Sequence, residues 1–239
     1  MQIIQQINLY PYSPIQGWVR LMSCHTMHDD CEDFVATIAS LSRGNINAVV
    51  PDNAQEIFEA LCKNKHNKML EFVRLSPDWD IATSYRHKNF HRIEDWDEVK
   101  ANIALFQFKF PIFVARQMMV YRSVTWLEMS RRYVTPEKVP FEFWFPPQSD
   151  PLYTKELAQN LVEEYKEAIK EGCKPEIARA FMPQSTYTYV YGMFNVPALK
   201  HFLEERLHKS AQEQTRDVAY AMKELVWKNQ PTMYEKVME

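Results

Sequence analysis

The chain has 239 residues, 46% hydrophobic and 25% charged, with a formal net charge of −3. Only 4 of them are glycine, Gly17, Gly44, Gly172 and Gly192, too few and too far apart for a GxGxxG or GxxxxGK[ST] loop, in which backbone must approach phosphate where a Cβ would intrude. The acidic balance gives no footprint for duplex nucleic acid, and the longest apolar stretch, Phe110 to Ala115, falls far short of the roughly 20 residues of a membrane span.

The N-terminus, Met1-Gln2-Ile3-Ile4-Gln5-Gln6, has no basic region followed by an apolar one, so a soluble, cytoplasmic protein without membrane or nucleic-acid partner is expected. Cys24, Cys31, Cys62 and Cys173 do not make a secreted disulfide framework and are expected as reduced thiols. No repeat, low-complexity tract or Ser/Gly linker divides the sequence, which predicts one domain over 1–239.

In chain order, residues 3–10 predict a first strand. Asp29 or Asp30 is placed to cap a helix to about Ser42, and Asp52 a second helix, in which Ile57 and Leu61 recur at helical spacing. Residues 74–100, with Pro77 and the polar run Tyr85-Arg86-His87-Lys88-Asn89, read as a long loop or an insertion. From Ile103 to Phe110, Phe106, Phe108 and Phe110 alternate with Gln107 and Lys109, the pattern of a half-buried strand. Pro111 then opens a helix through about Arg122.

Asp150-Pro151 starts a long amphipathic helix that stops at Gly172, a residue suited to the position after a helix end. Pro175 opens a short helix carrying Arg179, Thr186 to Tyr191 is rich in β-formers, and two helices follow over about 197–207 and 210–228. The class is mixed α and β (α+β), with a helical C-terminal half.

The densest polar run is Arg116 to Tyr133. If the chain is extended beyond Thr125, Glu128, Ser130 and Arg132 share one face. A guanidinium fork and a hydroxyl suit a phosphate monoester, while a carboxylate is better placed to orient an arginine or accept from a ligand N–H or hydroxyl. A solvated strand face is the competing reading.

Cys24, His25, His28 and Cys31 lie within eight positions, closer together than the paired ligands of structural zinc sites, so core thiols are expected and no metal. Phe141, Phe143, Trp144 and Phe145, and Tyr187, Tyr189 and Tyr191, are expected in the core or at a subunit interface, with a ring-binding pocket as the alternative. No cysteine has surroundings that mark it as a nucleophile.

The stretch Pro111-Ile112-Phe113-Val114-Ala115-Arg116-Gln117, with Arg122 eight positions before Ser130 and Ser130-Arg131-Arg132-Tyr133 closing it, resembles the signature of flavin-dependent thymidylate synthases. Further ordered matches are His66 and Glu71 upstream, and Arg179 ahead of Pro183, Asn195, Arg206 and Ala211-Gln212 downstream. The resemblance implies a central, mostly antiparallel sheet packed with helices and a homotetramer whose sites draw on several subunits. It implies methylation of C5 of dUMP to dTMP, with methylenetetrahydrofolate as carbon donor, reduced FAD as hydride donor and NADPH as co-substrate.

By the same resemblance Gln117, Ser130, Arg132 and Arg179 hold the phosphate and Glu128 lies by the sugar. Arg206 meets the pyrimidine and is the catalytic group, its fixed cation stabilising charge that develops on the ring. His66, Glu71, Arg122 and Asn195 face the flavin. The sequence departs from the pattern at Val120 and Tyr121, where the family has Arg and His, at Pro197, His201 and Ser210, where it usually has Arg, Asn and His, and at Leu127, usually Asn. About thirty residues after Val73 have no counterpart.

Tyr121 remains suited to stacking on an isoalloxazine, and Arg86 and His87 to replacing lost charge. Because the departures fall on the flavin side, the alternative is a homologue that keeps the nucleotide site with flavin use lost or changed. It would be a pyrimidine nucleotide hydroxymethylase or a non-catalytic nucleotide-binding protein.

Overall fold

The computed structural model describes residues 3–22, 31–64, 66, 72 and 102–239. The helix cap at Asp29 or Asp30, the residues Cys24, His25 and His28, Glu71, and the segment 74–100 with Arg86 and His87 lie outside them.

Five strands form one antiparallel sheet: β1 (Ile3–Leu9), β2 (Gly17–Met22), β3 (Ile103–Pro111), β4 (Thr125–Glu128) and β5 (Tyr187–Asn195), in the order β1-β2-β3-β5-β4. The helices are α1 (Cys31–Ser40), α2 (Ala54–Lys63), α3 (Ile112–Met118), α4 (Pro151–Lys170), α5 (Pro175–Ala178), α6 (Val196–Leu207), α7 (Glu213–Asn229) and α8 (Pro231–Met238). β2 and α8 are additions to the predicted elements. β2 is short and apolar on both faces, with Val19 and Leu21 in one core and Trp18 against the other.

β3 pairs with β2 on one edge and β5 on the other, and a core covers each of its faces, so it is fully buried and not half-buried as its alternation predicts. Phe106, Phe108 and Phe110 pack with α3, α6, α7 and α8, while Leu105 joins the core beneath α1 and α2. Gln107 and Lys109 sit on that second face with their polar ends satisfied. Gln107 Nε2 donates to the Ile46 carbonyl at 3.0 Å and to the Tyr191 hydroxyl at 3.1 Å, and Lys109 Nζ reaches Glu142 at 2.9 Å.

The aromatic runs are core. Phe141 and Phe143 pack against Tyr165 of α4, and Trp144 meets Phe113 edge-on at 5.2 Å. Tyr187, Tyr189 and Tyr191 are all buried.

Helix ends follow local chemistry. Asp150 caps α4, accepting from Leu152 N at 2.7 Å and Tyr153 N at 3.1 Å, and Gly172 takes φ 89° beyond its end. Asp52 does not cap α2; Asn53 holds that position without a side-chain bond. α1 stops at Ser40 and continues as a 3₁₀ turn over Leu41–Arg43. α3 ends at Met118 instead of near Arg122, and the chain turns there before entering β4. Arg179 begins a 3₁₀ turn, Arg179–Phe181, beyond α5.

The edge strand β4 lies against β5 because Gly192 leaves room for Trp126. A Cβ at Gly192 would stand 2.5 Å from Trp126 Cζ3 and 2.9 Å from Cε3. The indole fills that space, 5.3 Å from Phe194 and 6.1 Å from Phe108, and its Nε1 donates to the Tyr121 carbonyl at 3.1 Å. One ring thereby fixes both the edge strand and the turn before it.

Candidate active site

Two groups of polar side chains gather the residues that the sequence marks. The first is built where β4 ends. Glu128, the last residue of β4, accepts from Thr188 Oγ1 at 2.8 Å across the strand pair. Burial, the largest influence, pushes its carboxyl above the usual carboxylate range; the Thr188 bond and the charges of Arg179 and Arg116 pull the other way without cancelling it.

The extended run needed to align Glu128, Ser130 and Arg132 stops short. Met129 N still bonds the Tyr189 carbonyl at 2.8 Å, but the Ser130 carbonyl accepts from Tyr133 N at 3.0 Å and Val134 N at 3.1 Å, and the chain turns. Ser130 Oγ receives the backbone amide of Arg132 at 3.3 Å, so the hydroxyl sits on a turn against the main chain of Arg132 and not on a face shared through strand alternation.

Arg132 Nε and Nη2 both lie 3.1 Å from Glu176 Oε2, and Arg179 Nε donates to the Glu176 carbonyl at 3.2 Å. One residue at the start of α5 therefore gathers two arginines, both exposed. Glu176 carries no expectation from the sequence. Its place three residues before Arg179 was the available signal, but its partnership with Arg132 spans 44 positions.

Arg131 faces away from this group. Its Nη1 and Nη2 donate to the Val139 and Pro140 carbonyls at 2.6 and 3.1 Å, and it lies over Phe141 at 4.3 Å. Burial lowers its pKa to about 10. It anchors the segment that carries Ser130 and Arg132.

The second group joins α3 to α6 and α7. The Gln117 carbonyl accepts from Arg206 Nη2 at 3.1 Å, while its side-chain amide donates to Gln212 and accepts from Thr215 Oγ1 at 3.1 Å. Gln117 thus has both ends of its side chain engaged within the chain, and a phosphate held there has to displace Gln212. Among the described residues no hydrogen bond joins the two groups. They approach through Arg116, the neighbour of Gln117 on α3, whose charge acts on Glu128.

The flavin-side positions are unevenly disposed. Arg122 and His66 are exposed. Asn195 is exposed too, but its Oδ1 caps α6, accepting from Ala198 N at 2.9 Å, which leaves its amide nitrogen free to donate. Val120 is 61% exposed, whereas Tyr121 is only 8% exposed. The Tyr121 ring sits edge-on to Phe202 at 5.0 Å and His201 at 5.6 Å, with the Arg206 guanidinium 5.1 Å from its centre. A ring so enclosed is a core element and not a free stacking platform, contrary to the expectation for Tyr121. Ser210 is bound to His208 Nδ1 at 2.7 Å, and Pro197 lies in the first turn of α6.

Among the described residues no group of three or more His, Cys, Asp or Glu is arranged to hold a metal ion, and no helix is long and apolar enough to cross a membrane. Cys62 is buried and Cys173 partly so, both as free thiols.

A family model described as thymidylate synthase complementing protein matches residues 24–232, a span containing every site residue named above. A flavin-dependent thymidylate synthase of Thermotoga neapolitana is 30% identical over 141 residues, covering 54% of this chain and 64% of the relative. Another with the same description from Aquifex aeolicus is 31% identical over 150 residues, covering 54% and 47%. The match to these two spans about half to two thirds of the relatives' own length. One from Thermosipho africanus is 28% identical over 193 residues, covering 70% and 83%. A solved structure of a UMP/dUMP methylase, PolB from Streptomyces cacaoi bound with 5-Br UMP, has a TM-score of 0.47 and 25% identity, covering 57% of this chain and 73% of that one.

Proposed function

The chain belongs to the thymidylate synthase complementing protein family, and from that membership we propose that it methylates C5 of a pyrimidine nucleoside monophosphate, dUMP to dTMP. Methylenetetrahydrofolate is the carbon donor, and NADPH is the co-substrate that keeps the flavin reduced. The observation that carries the reading is the pair of exposed guanidiniums, Arg132 and Arg179, held by one residue, Glu176, with Ser130 on the turn two residues before Arg132. Two arginine forks and a hydroxyl suit a phosphate monoester, whose oxygens can accept from all three.

Each residue then has a task set by its chemistry. Ser130, Arg132 and Arg179 bind the phosphate, joined by Gln117 once its amide leaves Gln212. Glu128, whose raised pKa reflects burial, accepts from Thr188 and keeps its second oxygen for a sugar hydroxyl. Arg206, in the last turn of α6, lies against the pyrimidine, where its fixed charge lowers the cost of negative charge building up on the ring carbonyl as C5 forms its new bond.

The residues present suit a flavin in donor chemistry. Arg122 offers an exposed guanidinium, Asn195 an amide nitrogen, His66 an imidazole, and Val120, two positions before Arg122, an exposed apolar side chain; a ligand that is part ring and part phosphate needs such a mixture. Glu71 is proposed with them by the family pattern. When bound, reduced FAD supplies the hydride that completes the methyl group.

The reading extends to a homotetramer, supported by Tyr133, Ile177 and Phe181, apolar side chains each near 60% exposed beside Arg132 and Arg179. A second copy bringing its Gln117 and Arg206 to these arginines accounts for two groups that no hydrogen bond joins within one chain. Calorimetric titration with dUMP tests the nucleotide site: binding is expected for the native protein, weakened at least tenfold in Arg132→Ala. Absence of binding at millimolar dUMP refutes it.

One observation favours a second reading. With Val120 and the enclosed Tyr121 where the family has a cation and an imidazole, a homologue that keeps the nucleotide but has lost or changed flavin use, a hydroxymethylase or a nucleotide-binding protein, also accounts for the exposed arginines. The absorbance spectrum after incubation with FAD separates the two: a retained flavin band supports the first, and its absence with intact dUMP binding supports the second.

A further inference from the structure

Tyr121 is a large polar aromatic buried beside the site, and the nucleotide chemistry above gives it no part. It stands three residues beyond α3, and its carbonyl is fixed by Trp126 Nε1 at 3.1 Å. The ring touches three side chains of α6, Phe202 at 5.0 Å, His201 at 5.6 Å and Arg206 with its Cζ at 5.1 Å from the ring centre. Phe202 and Arg206 are one helical turn apart on the same face. Phe202 thus backs the ring, and Arg206 lies over it.

The same short segment holds the guanidinium a second time, since Arg206 Nη2 donates to the Gln117 carbonyl at 3.1 Å. Arg206 Nε is buried without a hydrogen-bond partner. A guanidinium carries five donors, so the carbonyl and the ring direct the group while leaving most of its donors for a ligand.

We propose that Tyr121 is a positioning residue for Arg206, its ring holding the guanidinium over the Gln117 carbonyl so that the cation is fixed before the nucleotide arrives. The proposal rests on the reading that Arg206 faces the pyrimidine. It assigns the tyrosine to the nucleotide chemistry and not to flavin stacking. A cation held by an aromatic face and partly shielded from water is worth up to about 2 kcal/mol, a factor of about 30 in a rate or an equilibrium.

The test compares Tyr121→Phe, which keeps the ring, with Tyr121→Leu, which keeps apolar bulk without it, in the full chain and below each variant's melting temperature. Release of hydrogen from C5 of dUMP is expected to be near native in the Phe variant and to fall by about tenfold or more in kcat in the Leu variant, with KM for dUMP changed less than kcat. A second readout needs no activity: in nitrogen-15 spectra of the arginine side chains, the Arg206 Nε–H signal, assigned by its loss in Arg206→Ala, is expected to exchange slowly and to carry a ring-current shift. That shift persists in Tyr121→Phe and disappears in Tyr121→Leu.

Equal losses in the Phe and Leu variants would make the hydroxyl the active group and overturn the proposal, as would an unchanged Arg206 signal in Tyr121→Leu. If Arg206→Ala releases C5 hydrogen at the native rate, the reading of Arg206 fails, while the spectra still decide whether Tyr121 holds it.

Discussion

Gly192→Ala perturbs the contact that couples the sheet edge to the site. The new methyl would sit 2.5 Å from Trp126 Cζ3, 2.9 Å from Cε3 and 3.1 Å from Phe194 Cε2, distances at which a ring must move. Trp126 has little freedom, being 4% exposed, packed on Phe108 and Phe194, and bound through Nε1 to the Tyr121 carbonyl. Overpacking of this kind costs about 1–3 kcal/mol. At about 2–4 °C per kcal/mol for a domain of this size, the melting temperature is expected to fall by roughly 2–12 °C.

Scanning calorimetry measures the fall, and a double-mutant cycle with Trp126→Phe identifies its cause. The smaller ring relieves the clash, so Gly192→Ala should cost less in the Phe background than in the native one. Displacing Trp126 also moves the β4 residues leading to Glu128, so weaker dUMP binding accompanies the loss. Strictly additive costs in the two backgrounds would refute the reasoning, because the methyl and the indole would then not be in conflict.

Three other outcomes are expected. Asn195→Ala removes the cap of α6 and should cost about 1 kcal/mol, read as a lower melting temperature. Asn195→Asp keeps the cap and the stability but has no amide nitrogen to donate, so a loss of flavin binding in both variants with a stability loss only in Ala assigns the two ends of the side chain separately. Because burial raises the Glu128 pKa in the folded state, the folded protein binds protons more tightly there than the unfolded chain, and native stability falls as pH rises from the ordinary carboxylate range through the raised value. Glu128→Gln removes that share, so melting curves across pH should show the variant gaining on the native protein as pH rises through this window and matching it below; a pH-independent difference contradicts the assignment. Glu176→Gln weakens an ion pair whose side chains are 38–49% exposed, so thermal melting should change by less than about 1 kcal/mol, while calorimetry should show altered dUMP affinity as Arg132 loses its orienting carboxylate.

The sequence carries the parts of this arrangement that depend on local pattern. The Phe106-Phe108-Phe110 alternation, the Asp150-Pro151 start and the Gly172 stop each involve neighbours in the chain, and each shows in the structure, although helices packed on both faces of the sheet bury β3 completely instead of by half. β2 was not legible, because Trp18-Val19-Arg20-Leu21-Met22 is apolar on both faces and carries no period-two pattern, and α8 lies beyond the last pattern read.

The site was legible as residue types but not as geometry. Arg132 and Arg179 stand out in the sequence, yet Glu176 joins them through a contact across 44 positions that no spacing reveals. Tyr121 is read from sequence as an aromatic free to stack; its burial depends on Phe202 and Arg206, some eighty residues away on another helix. Short-range signals fix helices, caps and strands, whereas the orientation of a charged group depends on tertiary neighbours.

The proposed activity is the activation of C5 of a pyrimidine nucleotide. Release of tritium from dUMP labelled at C5 is its most direct test, measured with the purified protein supplied with FAD, NADPH and methylenetetrahydrofolate. Release is expected to require the folate and the flavin and to be lost in Arg206→Ala. No release from dUMP under these conditions, with dUMP bound and the protein folded, would contradict it.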